Sequence, residues 1–364
     1  MQHLLEMQFI PVTWDAALQV IFLGFIGGIL SGFIGSGGAF FMTPGMMNLG
    51  VPGPVAVASN IAHKFGKALV GSRKHSELGN VDKKLSLFML ITAVAGIQIA
   101  VLLMTTLFGA GGHGAAADLY ISLVFVVFLS VVSVSMLLDI ARSSRAGESG
   151  PSTRIVAFLN RLRMPPMIYF PVADVRVSLW VILVCGLATG YMAGTIGVGG
   201  FVGVPAMIYV FGVPATVAAG TELYLAVFMG AWGAVNYAFQ GLVDIRLTML
   251  LYTGSLIGIY IGVYGTKVVR ELFIRLATAL IIILCVMSRA ISIPIYLQQL
   301  GYLGISPAYN NTLNLLSKAL LYGSGLAGGA MILYFVFRAH LQRRRVEASL
   351  TQTRSASGTT GQPA

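Results

Sequence analysis

Apolar residues run in long blocks through most of the chain, separated by short polar, glycine-rich or proline-rich breaks. By hydropathy the blocks fall at about residues 14–34, 38–50, 54–72, 85–108, 118–140, 177–197, 201–212, 215–238, 247–266, 272–290 and 312–337. A helix needs about 20 mostly apolar residues to cross the hydrocarbon core, and most of these blocks are that long. Two of them, 38–50 and 201–212, are too short to cross as ordinary helices, and each follows a glycine cluster. The pattern predicts an all-α polytopic membrane protein with two glycine-broken or re-entrant elements. It divides the chain into a first transmembrane repeat (1–140), a cytoplasmic linker (141–176), a second repeat (177–290), an additional C-terminal membrane segment (291–345) and a disordered Ser/Thr/Gly/Gln-rich tail (346–364).

Composition agrees. Of the 364 residues 57% are hydrophobic and 10% charged, against about 25% charged in an ordinary soluble domain. A water-soluble globule and a disordered chain are thereby excluded. The net charge of +11 does not indicate nucleic-acid binding, because no Lys or Arg precedes Lys64 and the basic residues cluster between apolar blocks and near the end, as positive-inside sorting requires. Residues 1–11 lack the basic start of a cleaved signal peptide. Cys185 and Cys285 both fall inside apolar blocks, so no disulfide framework is expected.

The two halves repeat one pattern. Gly35-Ser36-Gly37-Gly38 corresponds to Gly197-Val198-Gly199-Gly200, Phe40 to Phe201, Pro44 to Pro205, Val51-Pro52 to Val213-Pro214, Ser59-Asn60 to Thr221-Glu222, and Gly79-Asn80-Val81-Asp82 to Gly241-Leu242-Val243-Asp244. Chance similarity of apolar runs would not hold glycine, proline and aspartate in step, and internal duplication is common in secondary transporters. Charge then selects the relative orientation. The loop with Arg73, Lys74, Lys83 and Lys84 and the Arg-rich linker belong in the cytoplasm. Inverted halves also bring Lys267, Arg270, Arg338, Arg343, Arg344 and Arg345 there, leaving Arg246 and Arg289 outside. This predicts two pseudo-symmetric inverted repeats with one extra C-terminal transmembrane helix, a periplasmic N-terminus and a cytoplasmic C-terminus.

Chemistry concentrates at three places. Each paired glycine motif would break a helix within the membrane and present bare N–H groups at a positive dipole end, a site suited to an anion; close packing by small residues is the bland alternative. On the helix near 54–72, Asn60, Lys64, Lys67 and Gly71 share one face, with His63 beside it. An ammonium at the bilayer centre costs about 2.5–3.5 kcal/mol and is kept when it is paired or lines a path; the alternative is snorkelling to the interface. In the second half Glu222 is the acid deep in a span near a glycine motif, and it could pair with either lysine or carry a coupling proton. The expected substrate site is Ser36, Gly37, Gly38, Asn60, Lys64, Lys67, Gly197, Gly199, Gly200 and Thr221, with His63, Glu222 and Tyr224 in coupling or gating. Asn236 and Tyr237 are further candidates for the path. Asp82 and Asp244 sit beside turn glycines, where capping the next helix is the expected job. No metal-ligand spacing and no phosphate-binding loop occur, so no catalytic residue, metal or cofactor is expected.

These motifs resemble the TauE/SafE sulfite-exporter family, also called TSUP. The resemblance rests on GSGGAFFMTP (Gly35 to Pro44) with VPGPVAVASN (Val51 to Asn60), and on IGVGGFVGVP (Ile196 to Pro205) with VPATVAAGTEL (Val213 to Leu223), together with the Gly79–Asp82 and Gly241–Asp244 turns. It covers about residues 16–290. Ala39 stands where the family usually has a glycine, and the segment at 307–345 is additional. The resemblance implies a secondary transporter in the bacterial inner membrane, moving sulfite, thiosulfate, an organosulfonate or another small organic anion. Alternating access of the two halves is the expected mechanism, with a coupling proton or cation and homo-oligomerisation left open. A Ser36/His63 intramembrane serine hydrolase is the enzyme alternative; it is disfavoured because the second motif carries no serine.

Overall fold

The computed structural model describes residues 12–34, 38–108, 114–146, 164–268, 271–304, 306 and 308–357. In chain order they form α1 (Trp14–Ile34), α2 (Ala39–Asn48), α3 (Gly53–Glu77), α4 (Lys83–Phe108), α5 (Ala115–Ala146), a hairpin of β1 (Met167–Phe170) and β2 (Val175–Ser178), α6 (Leu179–Ile196), α7 (Gly200–Pro205) continuing into a π turn (Ala206–Val210), α8 (Ala215–Phe239), α9 (Ile245–Val268), α10 (Glu271–Gln299) and α11 (Ala308–Ser357). Among the described residues eight helices, α1, α4, α5, α6, α8, α9, α10 and α11, are long and apolar enough to span a membrane. The 25-residue α3 is about 37 Å long at 1.5 Å per residue; it misses that apolar standard because it carries His63, Lys64 and Lys67.

Helices of the two halves pack on each other. α1 runs parallel to α9, and α4 runs parallel to α6. Both seams are made by small residues. Gly24 and Gly28 of α1 meet Leu251 and Ser255, while Gly254, Gly258 and Gly262 of α9 meet Ile21, Phe25 and Ile29, so that an added Cβ would strike the partner's backbone. Gly186, Gly190 and Gly194 of α6 lie on α4 in the same way. Lipid is as apolar as a helix surface, so close backbone approach takes the place of a hydrophobic drive. At the centre α3 and α8 run antiparallel, with Ile61 beside Gly233, Phe65 beside Gly230 and Gly71 beside Leu223. The midpoint of that register falls near Lys67. Outside this core α5 packs on α10, and α10 on α11.

The two short elements fold back along the helices that precede them. Gly38 abuts Gly27, and Gly45 abuts Leu23, which lays α2 against α1; Gly199 lies against Thr189 and Ala193 of α6. Repeat-matched hydrogen bonds then cross between the halves. The Asp244 amide donates to Ser59 Oγ at 3.1 Å, and the Asp82 amide donates to Thr221 Oγ1 at 2.9 Å. Both aspartates also cap the next helix, Asp82 Oδ1 accepting from the Leu85 amide and Asp244 Oδ1 from the Arg246 amide.

Three boundaries differ from the sequence reading. Within the expected linker, α5 continues to Ala146 and residues 167–178 form the antiparallel hairpin. That hairpin is held by Asp82 Oδ2, which accepts from the Val172 and Ala173 amides at 3.1 Å, and by burial of Phe170; arginine-rich and proline-rich composition hid the short Met167–Phe170 strand. The second repeat's last helix runs through Pro294 to Gln299 rather than stopping at 290. The segment expected to be disordered from 346 is helical through Ser357, because extending a helix already nucleated in the apolar part gains one hydrogen bond per residue fixed.

Candidate functional site

The tips of the broken elements meet. α6 ends at Gly197 in the left-handed region (φ 77°), a conformation that a Cβ would strain. Gly199 and Gly38 stand at the N-caps of α7 and α2, and Gly200 opens α7. At these starts the Phe201 amide donates to the Val198 carbonyl at 3.3 Å, the Val202 amide to Gly199 at 3.0 Å and the Phe41 amide to Gly38 at 3.1 Å, so the positive ends of the two short helices come close together with their first turns tightly closed. The rings of Phe40 and Phe201, each one or two residues inside its tip, meet edge-on with centroids 4.8 Å apart. Thr43 Oγ1 donates to the Ile196 carbonyl at 3.3 Å, and Asn60 Nδ2 donates to Thr43 Oγ1 at 2.8 Å and to the Ala39 carbonyl at 3.3 Å. Asn60 thus ties α3 to α2, while Thr43 ties α2 to the end of α6. A Cβ on Gly197 would lie 3.1 Å from Asn60 Nδ2, which puts the second glycine motif in the same place. Ser36 and Gly37 lie outside the described residues.

One turn along α3 the charged groups begin. Lys64 Nζ lies 3.5 Å from Glu222 Oε1, an ion pair between side chains 8% and 1% exposed. Glu222 Oε2 is buried, has no hydrogen-bond partner among the described residues, and lies against Gly203 of α7. His63 Nε2 bonds Ser255 Oγ of α9 at 2.6 Å, its ring lies 4.8 Å from that of Tyr252, and its Nδ1 has no partner. Lys67 is 2% exposed and forms no ion pair among the described residues. It lies ten residues, about 15 Å along the helix axis, from the end of α3. The constellation holds two ammonium groups against one carboxylate in a site withdrawn from water, where isolated charge is costly.

Other expected residues have different surroundings. Thr221 is buried with its hydroxyl occupied by the Asp82 amide. Tyr224 packs edge-on to Phe228 and lines, with Ser72, Arg73, Ser76, Glu77 and Lys83, a cleft of about 370 Å³ at the end of α3. Tyr237 is buried and donates to the Gly194 carbonyl at 2.6 Å, and Asn236 Nδ2 donates to Trp232 in its own helix; neither joins the site. Thr43, Tyr252 and Ser255, which do join it, carried no sequence signal beyond being polar in apolar blocks. Arg289, expected outside the membrane, is 1% exposed inside α10 and donates to Asn48, Ser292 and Tyr296. Ser288, Ser292 and Tyr296, spaced i, i+4, i+8 on α10, were the available sign of a polar face there.

Comparison with known proteins follows the same outline. The chain is similar to the probable membrane transporter protein YjnA of Bacillus subtilis (strain 168), 26% identical over 68% of this chain and 89% of the relative. It is also similar to the probable membrane transporter protein YdhB of the same organism, 24% identical over 71% of this chain and 94% of the relative. No solved structure matches. The family model "Sulfite exporter TauE/SafE" matches residues 20–288, from within α1 to Ser288 in α10. An integral membrane chain of this length and match belongs to the TauE/SafE sulfite exporter family of membrane transporters.

Proposed function

We propose that this transporter carries a small sulfur-containing anion (sulfite, thiosulfate or an organosulfonate) through the space bounded by the α2 and α7 tips, Asn60, Lys64 and Lys67, by alternating access of the two halves. The observation that carries the reading is the excess of basic over acidic side chains: Lys67 is buried at the middle of α3 with no carboxylate paired to it among the described residues, beside a Lys64–Glu222 pair. A buried ammonium is kept where something anionic visits it, and sulfur oxyanions suit charge-assisted hydrogen bonds from lysine together with backbone N–H donors. Alternating access draws support from the antiparallel α3 and α8 and from the exchanged Ser59–Asp244 and Thr221–Asp82 bonds. An inverted pair of halves built around a central site is a common arrangement for such motion.

The test is uptake by the purified protein in liposomes, using sulfite, thiosulfate, isethionate, taurine and acetate. At least one sulfur anion should accumulate. Lys67→Ala should lower that uptake at least about tenfold, in keeping with the roughly 1.5–3 kcal/mol of a hydrogen bond to a charged group. Uptake of acetate alone would move the substrate to the carboxylates, and no uptake of any anion would end the anion reading.

A further inference from the structure

Asn60 and Glu222 occupy matching positions in the two halves, yet they bring opposite chemistry to their broken elements. Asn60 closes on α2 as a donor, its Nδ2 reaching the Ala39 carbonyl and Thr43 Oγ1. Glu222 reaches α7 beside Gly203, where a Cβ would collide with Oε2. An ionised carboxylate can only accept hydrogen bonds; protonated, it has one O–H to give. Oε2 is buried and has no hydrogen-bond partner among the described residues, so an ionised carboxylate would hold that lone pair unmet. The other oxygen holds Lys64 at 3.5 Å, longer than the 2.7–2.9 Å typical of a strong ammonium–carboxylate bond. Around it, α3 presents Lys64, with Lys67 and His63 on the same stretch, while α7 and α6 present Gly203 and Thr189. The other ionisable residues of the elements around it are Cys185 and Tyr191 on α6, Tyr209 in the π turn, and Lys83 and Lys84 at the exposed start of α4; the ion pair of the carboxyl is with Lys64. The adjacent Asp82 carboxylate is occupied by the Leu85, Val172 and Ala173 amides.

We propose that Glu222 is a proton-binding site coupled to the anion site: a proton on Oε2 neutralises the buried carboxylate, which then resembles the uncharged Asn60 at the matching position, and releases Lys64 to the anion. Proton and anion then occupy the site together and cross in the same direction. The inference rests on the anion reading given above. Since one proton is taken up per anion bound, affinity strengthens as pH falls, by about tenfold per pH unit where Glu222 is ionised in the empty protein.

The experiment uses purified wild-type protein in weakly buffered detergent solution with a pH-indicating dye. The probes are thiosulfate and isethionate, which are fully ionised near neutrality, so that the protons counted are the protein's. Binding should take up close to one proton per anion, and affinity should fall about tenfold from pH 7 to pH 8. In Glu222→Gln the proton uptake and the pH dependence should both vanish, and affinity at pH 8 should rise toward the wild-type value at pH 7. Wild-type binding without proton uptake overturns the coupling and leaves the anion site standing. Proton uptake that persists in a folded Glu222→Gln protein overturns the assignment to Glu222. Failure of the wild type to bind either probe overturns the anion reading and this inference with it. The wild-type measurement decides the coupling by itself, and if Glu222→Gln does not fold, Glu222→Asn, which copies the residue at the matching position, decides the assignment by the same loss of proton uptake.

Discussion

Lys64 and Lys67 sit three residues apart on one helix, but the two ammonium groups have different partners, and that difference separates their substitutions. Lys64 is matched by Glu222 at 3.5 Å. Removing one member of a buried pair strands the other and costs about 3–5 kcal/mol, so Lys64→Met should lower the unfolding temperature in detergent. The loss should be greater at pH 8 than at pH 6, because the stranded carboxyl can neutralise itself by taking a proton at the lower pH. The double variant Lys64→Met/Glu222→Met should recover most of the lost stability and none of the transport. Lys67 has no such partner among the described residues, so Lys67→Met removes a buried ammonium that no carboxylate there offsets. It should leave the unfolding temperature equal or higher while anion uptake collapses. A Lys67→Met protein that unfolds as early as Lys64→Met would mean that Lys67 is a structural member of the fold. Thermal unfolding at the two pH values, run beside the uptake assay, separates these cases.

At the scale of elements, α2 is held at both ends. Its start is tied through Ala39 and Thr43 to Asn60 and α6, while its end is tied through Asn48 to α10 and α11. There Asn48 Oδ1 accepts from Arg289 and from Ser317 Oγ, and Asn48 Nδ2 donates to Ser288 Oγ at 3.1 Å. Arg289 is buried with its Nε unpartnered, so its charge is met by neutral acceptors and by the negative end of α2. Asn48→Ala should therefore cost about 2–3 kcal/mol by leaving a buried cationic donor unmet. The same change in an Arg289→Met background should cost much less. A double-mutant cycle by thermal unfolding reads the difference, and additive costs would show that Asn48 and Arg289 act separately.

The sequence made one end of this clamp hard to see. Arg289 lies near the end of an apolar block, where hydropathy assigns a charge to the membrane surface, and its neutral partners are serines and an asparagine that look like ordinary filler in a helix. The residues of the candidate site were easier to single out. Asn60, Lys64, Lys67 and Glu222 are costly residues in apolar segments, and the repeated sequence pattern sets Asn60 against Glu222. The broken elements were legible as well, because glycine and proline mark backbone breaks in any context. Thr43 and Ser255 were not, since hydroxyls in apolar helices commonly bond their own backbone one turn back. Only packing reveals that these two reach across to Ile196 and His63. The hairpin at 167–178 escaped for a similar reason, since four-residue strands carry almost no periodic signal.

For the whole molecule, the packing directions constrain how the chain sits in a bilayer. α3 and α8 are antiparallel, whereas α1 parallels α9 and α4 parallels α6. One face of the bundle consequently carries the start of α3, the end of α2 and the start of α5, joined where Asp118 Oδ1 accepts from the Gly53 amide at 2.6 Å. The opposite face carries the end of α3, the start of α4 and the hairpin, joined through Asp82. Arg73, Lys74, Lys83, Lys84 and Arg176 all belong to the second face. On the first, Arg246 near the start of α9 is partly neutralised by Asp244 at 3.0 Å. We propose from the positive-inside rule that the hairpin face is the cytoplasmic one, which puts the start of α1, the end of α10 and the start of α11 on the other side. Single cysteines at exposed positions decide this in intact bacterial cells treated with a membrane-impermeant maleimide. Asn311→Cys, at the start of α11, should label in intact cells, whereas Ser76→Cys, at the end of α3, should label only after the cells are broken. A reporter fused after Arg345 should likewise be cytoplasmic. The reverse labelling would invert the whole molecule, and Glu222 would then take its proton from the opposite compartment.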